Sequence, residues 1–147
     1  MPADVDFGGL DIPIVGFEIV EVWFSGRTYL IAYGHGELGV KEAPRSQIGL
    51  SGKFRLSCRG ASAVRLDAGG DWADLSPLFS LRHRTVAVAA VSASGDLHLE
   101  FDDDSSLDAT SDDRYEAWEV AGPGSINLVA PPGGGDPRVT WDERTIE

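Results

Sequence analysis

Three histidines could move protons in this 147-residue chain, because imidazole titrates near neutrality: His35 in a Gly-His-Gly run, His83 between Arg82 and Arg84, and His98 in an alternating apolar run. None stands in a nucleophile context. The sequence holds no Gly-x-Ser-x-Gly elbow and no phosphate-binding glycine loop ending in Lys-Ser/Thr, and Cys58 lies in an apolar run with no evident partner. We read the histidines as surface or structural groups and expect neither catalysis nor a cofactor. Arg82-His83-Arg84 is the one basic cluster of the acidic half; pairing with nearby carboxylates is the simpler reading, and an anion site the alternative. Asp102-Asp103-Asp104-Ser105-Ser106 offers the carboxylate oxygens that calcium favours. An EF-hand loop, however, needs glycine at position six and glutamate at twelve, where counting from Asp102 gives Leu107 and Asp113. We read a solvated turn and no metal site.

Tyr115-Glu116-Ala117-Trp118-Glu119 is the most distinctive segment. As a strand it places Glu116 and Trp118 on one face and Tyr115, Ala117 and Glu119 on the other, so each face mixes an aromatic with an acid. Such a strand suits a core edge, with Trp118 bonded to a carbonyl, or a recognition surface. A helix over residues 112–121, capped by Asp112 and stopped at Gly122-Pro123, is the alternative.

The chain carries 12 basic and 24 acidic side chains, net −12. Residues 1–70 hold 7 basic and 8 acidic groups, and residues 71–147 hold 5 and 16, so the excess belongs to the C-terminal half. Residues 96–119 contain ten acids against Arg114 alone. A field of this sign repels phosphate backbones, which disfavours nucleic acid, and attracts cationic protein surfaces at salt-dependent rates.

The elements that must position these groups read as strands, because 18 glycines and 8 prolines punctuate short runs of Val, Ile, Leu, Phe and Thr. Residues 14–24 form the first, with a bulge near Ile19 and Val20 that lets both Glu18 and Glu21 face water. After a turn at Ser25-Gly26 come residues 27–33, a Gly34-His35-Gly36 turn, residues 37–41, and a strand pair over 47–58 broken at Ser51-Gly52. Trp72, Leu75, Leu78 and Phe79 recur at helical spacing, so a short helix near 71–81, with Asp71 available to cap and Pro77 limiting its length, is predicted as a lid on the sheet. Residues 85–91 read as a strand buried on both faces. In 97–101, Leu97, Leu99 and Phe101 point inward while His98 and Glu100 point outward. A turn at 102–104, a short strand from Leu107, a strand over 115–120, a Gly122-Pro123-Gly124 turn, residues 126–130 and residues 139–141 complete the series.

The fold class expected is all-β, β-dominated: antiparallel meanders forming a sandwich or partly open barrel, with one short helix near 71–81. We expect one domain over 1–147 with an ordered core of about 12–142 and frayed ends. A weak internal duplication of 14–58 onto 84–130 lays Val22, Gly26 and Leu30 on Val91, Gly95 and Leu99. One cysteine excludes an intrachain disulfide and cysteine-built zinc sites, and suits a reducing compartment. The N-terminus has no basic n-region and no long apolar stretch, so a soluble cytoplasmic protein is expected.

The order Leu78-Phe79-x-Leu81, Arg84-Thr85-Val86, Gly95-x-Leu97-x-Leu99-x-Phe101-Asp102-Asp103, the 115–119 motif, Gly122-Pro123, Pro132-Gly133-Gly134 and Trp141 resembles an uncharacterised family of small actinobacterial proteins. The resemblance covers roughly 15–141. This chain departs from it at Asp104, where the family usually has glycine, which puts that turn's geometry in question. It implies a bacterial origin and a single β-rich domain, and brings no established activity to carry over. Similar small acidic proteins act as immunity or accessory factors beside toxins, by analogy only.

The leading expectation is therefore a non-catalytic protein-binding module, an immunity-like or accessory factor that meets a basic protein surface such as a toxin's. Asp102, Asp103, Asp112, Asp113, Glu116 and Glu119 would steer and pair with cations, and Tyr115 and Trp118 would anchor the contact where exposed. The alternatives are a small-molecule or enzymatic pocket near Arg82, His83, Tyr115 and Trp118, and a structural homodimer joined at a sheet edge.

Overall fold

A computed structural model of the protein describes residues 10–24, 26–34, 44–59, 62–71, 73–124, 126–130, 132–133 and 138–141. The expected His35 turn, the strand at 37–41, Trp72 and the frayed ends lie outside the described residues. Within them the chain forms β1 (Leu10–Asp11), β2 (Glu18–Phe24), β3 (Thr28–Tyr33), β4 (Arg45–Leu50), β5 (Lys53–Ser57), β6 (Val64–Asp67), a 3₁₀ helix (Ser76–Leu81), β7 (Val86–Val91), β8 (Leu97–Phe101), β9 (Ser106–Ala109), β10 (Trp118–Ala121), β11 (Ile126–Val129) and β12 (Arg138–Trp141). Two antiparallel sheets result, in the orders β1-β7-β8-β9-β5-β6 (sheet A) and β12-β11-β10-β4-β3-β2 (sheet B). They are not closed into a barrel, so of the two expected arrangements the molecule is a sandwich.

The inward alternation of each strand builds one core between the sheets. Leu97, Leu99 and Phe101 of β8, Leu107 of β9 and Phe54 and Leu56 of β5 meet Leu30 of β3, Ile48 and Leu50 of β4 and Trp118 and Val120 of β10. In β2 the side chains of Ile19 and Val22 both face that core although three residues apart, which a regular strand forbids. The register slips between Ile19 and Glu21, and this is the bulge read from the sequence. A second slip, between Val86 and Val88, does the same for β7. It leaves Ala87 exposed, so the expectation of burial on both faces holds only over Ala89, Ala90 and Val91.

The two halves of the chain follow the same route. The meander β2-β3-β4 is continued in its sheet by β10-β11, and the meander β7-β8-β9 by β5-β6, so each half passes a hairpin to the other sheet. Gly26 and Gly95 take positive φ (71° and 91°) in the corresponding turns. Across the first hairpin Val22 faces Leu30, and across the second Ala89 faces Leu99. The strand pair expected over 47–58 is not one: β4 and β5 lie in different sheets, and Ser51 and Gly52 carry the chain from sheet B to sheet A.

The expected helix is one 3₁₀ segment. Pro77 stands in its first turn, starting it and not limiting it, and Asp71 contributes its backbone carbonyl to Asp74 and Leu75 and not a side-chain cap. Leu78 and Leu81 are buried, while Phe79 is exposed and meets Phe24 edge-on at 5.7 Å.

Candidate functional site

Acids that are close in sequence are carried to opposite ends of sheet A, because β8 runs from the Gly95 turn to the Asp102 turn, roughly 15 Å at about 3.3 Å per residue. At the far end Asp102 is exposed, and Asp103 accepts hydrogen bonds from the Ser105 N–H (3.1 Å) and hydroxyl (2.5 Å) and lies 3.5 Å from Arg84. Burial works against the Asp103 carboxylate, but the Ser105 bonds and the Arg84 guanidinium outweigh it and hold its pKa below the ordinary aspartate value. Asp104 takes the left-handed conformation (φ 69°) that a glycine would enter without strain, and lies 3.9 Å from Arg59. This end is partly matched by arginine. The 82–84 cluster belongs to it: Arg82 Nε donates to the Val20 carbonyl (3.2 Å), His83 Nδ1 lies 2.9 Å from Glu18, and Arg84 faces Asp103.

The near end gathers the crossing between β9 and β10. Asp96 accepts the Ser111 N–H (2.9 Å), and Asp112 accepts the Arg114 N–H (2.9 Å) while its carbonyl accepts the Gly133 N–H (2.8 Å). The expected 115–120 strand starts only at Trp118, and the alternative helix is not formed. Tyr115 therefore stands on the connection, 38% exposed, with its ring against Gly52, where an added Cβ would lie 2.5 Å from the hydroxyl. Burial first, then Asp112 as charge and hydrogen-bond partner, then Asp67, push the Tyr115 phenol above its ordinary pKa. Asp113 and Glu116 are exposed beside it.

Two expected anchors lie elsewhere. Trp118 is 0% exposed, and its indole N–H donates to the Gly95 carbonyl at 3.0 Å, so it is a core side chain and not a contact residue. Glu119 lies on the outer face of sheet B, 2.9 Å from Arg27, whose guanidinium also stacks 5.6 Å above the Tyr29 ring. The pocket expected from Arg82, His83, Tyr115 and Trp118 does not form either. The first two sit against β2 at one end, Tyr115 stands at the other, and Trp118 fills the core between the sheets. Asp67 was missed because it reaches Tyr115 from β6, which sequence distance hides.

A third group crosses the outer face of sheet A. His98 is paired with Asp108 (Nδ1 to Oδ1, 2.5 Å) and with Glu100 (Nε2 to Oε2, 2.8 Å). The Asp108 hydrogen bond, against burial and with Glu100 adding to it, raises the imidazole to about 9. His98 is thus a cation at neutral pH. A raised folded-state pKa stabilises the fold fully below the unfolded histidine value of ~6.5 and loses that contribution as pH rises toward 9. We expect unfolding free energy to fall by about 2 kcal/mol across this window and the fall to vanish in His98→Gln, as checked by urea denaturation from pH 6 to 10.

Among the described residues no group of three or more His, Cys, Asp or Glu side chains could hold a metal ion, and no helix is long and apolar enough to cross a membrane. Fold and surface together define an antiparallel β-sandwich domain with an acidic, tyrosine-bearing end. The chain belongs to a family described as "Family of unknown function (DUF6188)", whose model matches residues 12–137. No curated protein matches it, and no solved structure does.

Proposed function

We propose that this domain is a non-catalytic, cytoplasmic protein-binding module whose near end meets a cationic surface on another protein, as an immunity or accessory factor meets a toxin. One observation carries the reading: Tyr115, a rigid aromatic with a polar tip, stands exposed where Asp112 and Asp67 act on its phenol, with Asp113 beside it. Exposed tyrosine inside a ring of charge is the composition of an interface anchor. Asp112, Asp113 and Glu116 would pair with the partner's cations. Asp102 and Asp103, at the far end, add to the long-range field, since arginine already meets part of their charge. Trp118 supports the near end from within the core and Glu119 is held by Arg27 on the outer face of sheet B, which leaves the contact itself to Tyr115.

Steering of this kind raises association rates by ~10-fold or more and fades with salt. Partner capture from the native host, with elution by rising salt, supplies the ligand for kinetics. The Asp112→Lys/Asp113→Lys variant is expected to slow association about tenfold at low ionic strength and to flatten its salt dependence, while Asp102→Lys changes it less. An on-rate indifferent to the double reversal contradicts the reading, and a mass that rises with concentration points instead to pairing of two copies at a sheet edge.

A further inference from the structure

The outer face of the β5-β6 hairpin concentrates positive charge in a chain that has twice as many acids as bases. Phe54 and Leu56 of β5 and Leu66 of β6 face the core, so Lys53, Arg55 and Arg65 point outward. The register sets Arg55 directly opposite Arg65 and, on its other side, next to Asp108. Like charges in that position repel each other. A groove of about 260 Å³ there is lined by Lys53, Phe54, Arg55, Arg65, Asp108 and Thr110. Among the described residues none of the three cations has a carboxylate within ion-pair range. The two acids that the register sets across from these cations have other partners: Asp108, opposite Arg55, lies against His98, and Asp67, opposite Lys53, accepts the Gly69 N–H at 3.0 Å.

We propose that this groove binds a phosphate group, as the free ion or on a small ester, between the Arg55 and Arg65 guanidinium forks, with Lys53 and the Thr110 hydroxyl beside them. Paired forks match a tetrahedral dianion by bidentate hydrogen bonding, and a dianion relieves the repulsion that the cross-strand pair imposes. Size and field choose the class of occupant. The groove falls just below the ~300 Å³ of drug-sized pockets, so the ligand is small. A polyanion would feel the whole net charge of −12, whereas screening over ~8 Å leaves a compact dianion under the local cations. The site stands independently of the Tyr115 end.

The test is calorimetry at about 0.15 M ionic strength, where screening acts over ~8 Å, with inorganic phosphate, phenyl phosphate, acetate and a single-stranded oligonucleotide. Binding of the first two is expected, weakened at least about tenfold by Arg55→Gln or Arg65→Gln and unchanged by Arg45→Gln on the other sheet. Equal affinity for the two phosphates assigns the free ion, and a preference for phenyl phosphate assigns an ester; both support the site. Amide shifts of the unsubstituted protein on adding phosphate should centre on 53–57, 64–67 and 108–110, which keeps the test independent of how the variants fold. Absence of phosphate binding, acetate binding as tight as phosphate, tighter oligonucleotide binding, an equal loss in Arg45→Gln or shifts centred elsewhere would each overturn it.

Discussion

Trp118→Ala is expected to lower unfolding free energy by about 3–5 kcal/mol, a large part of the ~5–15 kcal/mol that a domain of this kind holds. The indole is fully buried between the sheets, and its N–H reaches from β10 of sheet B to the Gly95 carbonyl in the β7-β8 turn of sheet A. Removal therefore opens a cavity and also leaves a carbonyl without its partner. Trp118→Phe separates the two effects. It keeps most of the packing and loses the hydrogen bond, for an expected cost of about 1–3 kcal/mol. Urea denaturation of both variants checks the pair, and a loss below about 1 kcal/mol for the alanine variant would contradict the assignment of Trp118 to the core.

Gly122→Ala is expected to be comparably severe, at about 3 kcal/mol or more, while Gly124→Ala two residues on costs about 1 kcal/mol. Both glycines have positive φ (79° and 66°), so both substitutions carry backbone strain. The difference is space. A Cβ at Gly122 would overlap the carbonyl oxygen of Arg45, part of the backbone of β4, whereas one at Gly124 meets nothing within 4 Å. The Gly122 carbonyl also accepts the hydroxyl of the buried Ser46 at 3.0 Å, so the turn cannot shift freely. Thermal unfolding of the two variants side by side reads the contrast directly, and equal midpoints would mean that β4 yields at that point.

Much of the sandwich was legible because alternation is a local signal. Leu97, Leu99 and Phe101 declare an inward face with no knowledge of what they meet, and the three-residue spacing of Glu18 and Glu21 lets both face water only across a bulge. Other features needed distant partners. The 115–120 segment offers good aromatic strand residues, yet Tyr115 is held on a connection because the chain must cross from β9 in one sheet to β10 in the other. Pro77 reads as a stop from either side, and only the packed Leu78 and Leu81 show that the helical turn begins there.

Composition alone determined the sign and excess of charge, and hydrophobic period alone determined that strands would bury one face in a shared core, because both depend on nothing beyond neighbouring residues. Tertiary structure decided where each charge acts. A strand carries the acids that flank it to opposite ends, so Asp102 and Asp112 part company while Asp67 joins Tyr115 and Arg55 meets Arg65. The reason is register: which residue stands opposite which is fixed by the packing of the whole sheet and leaves no trace in the order of the chain.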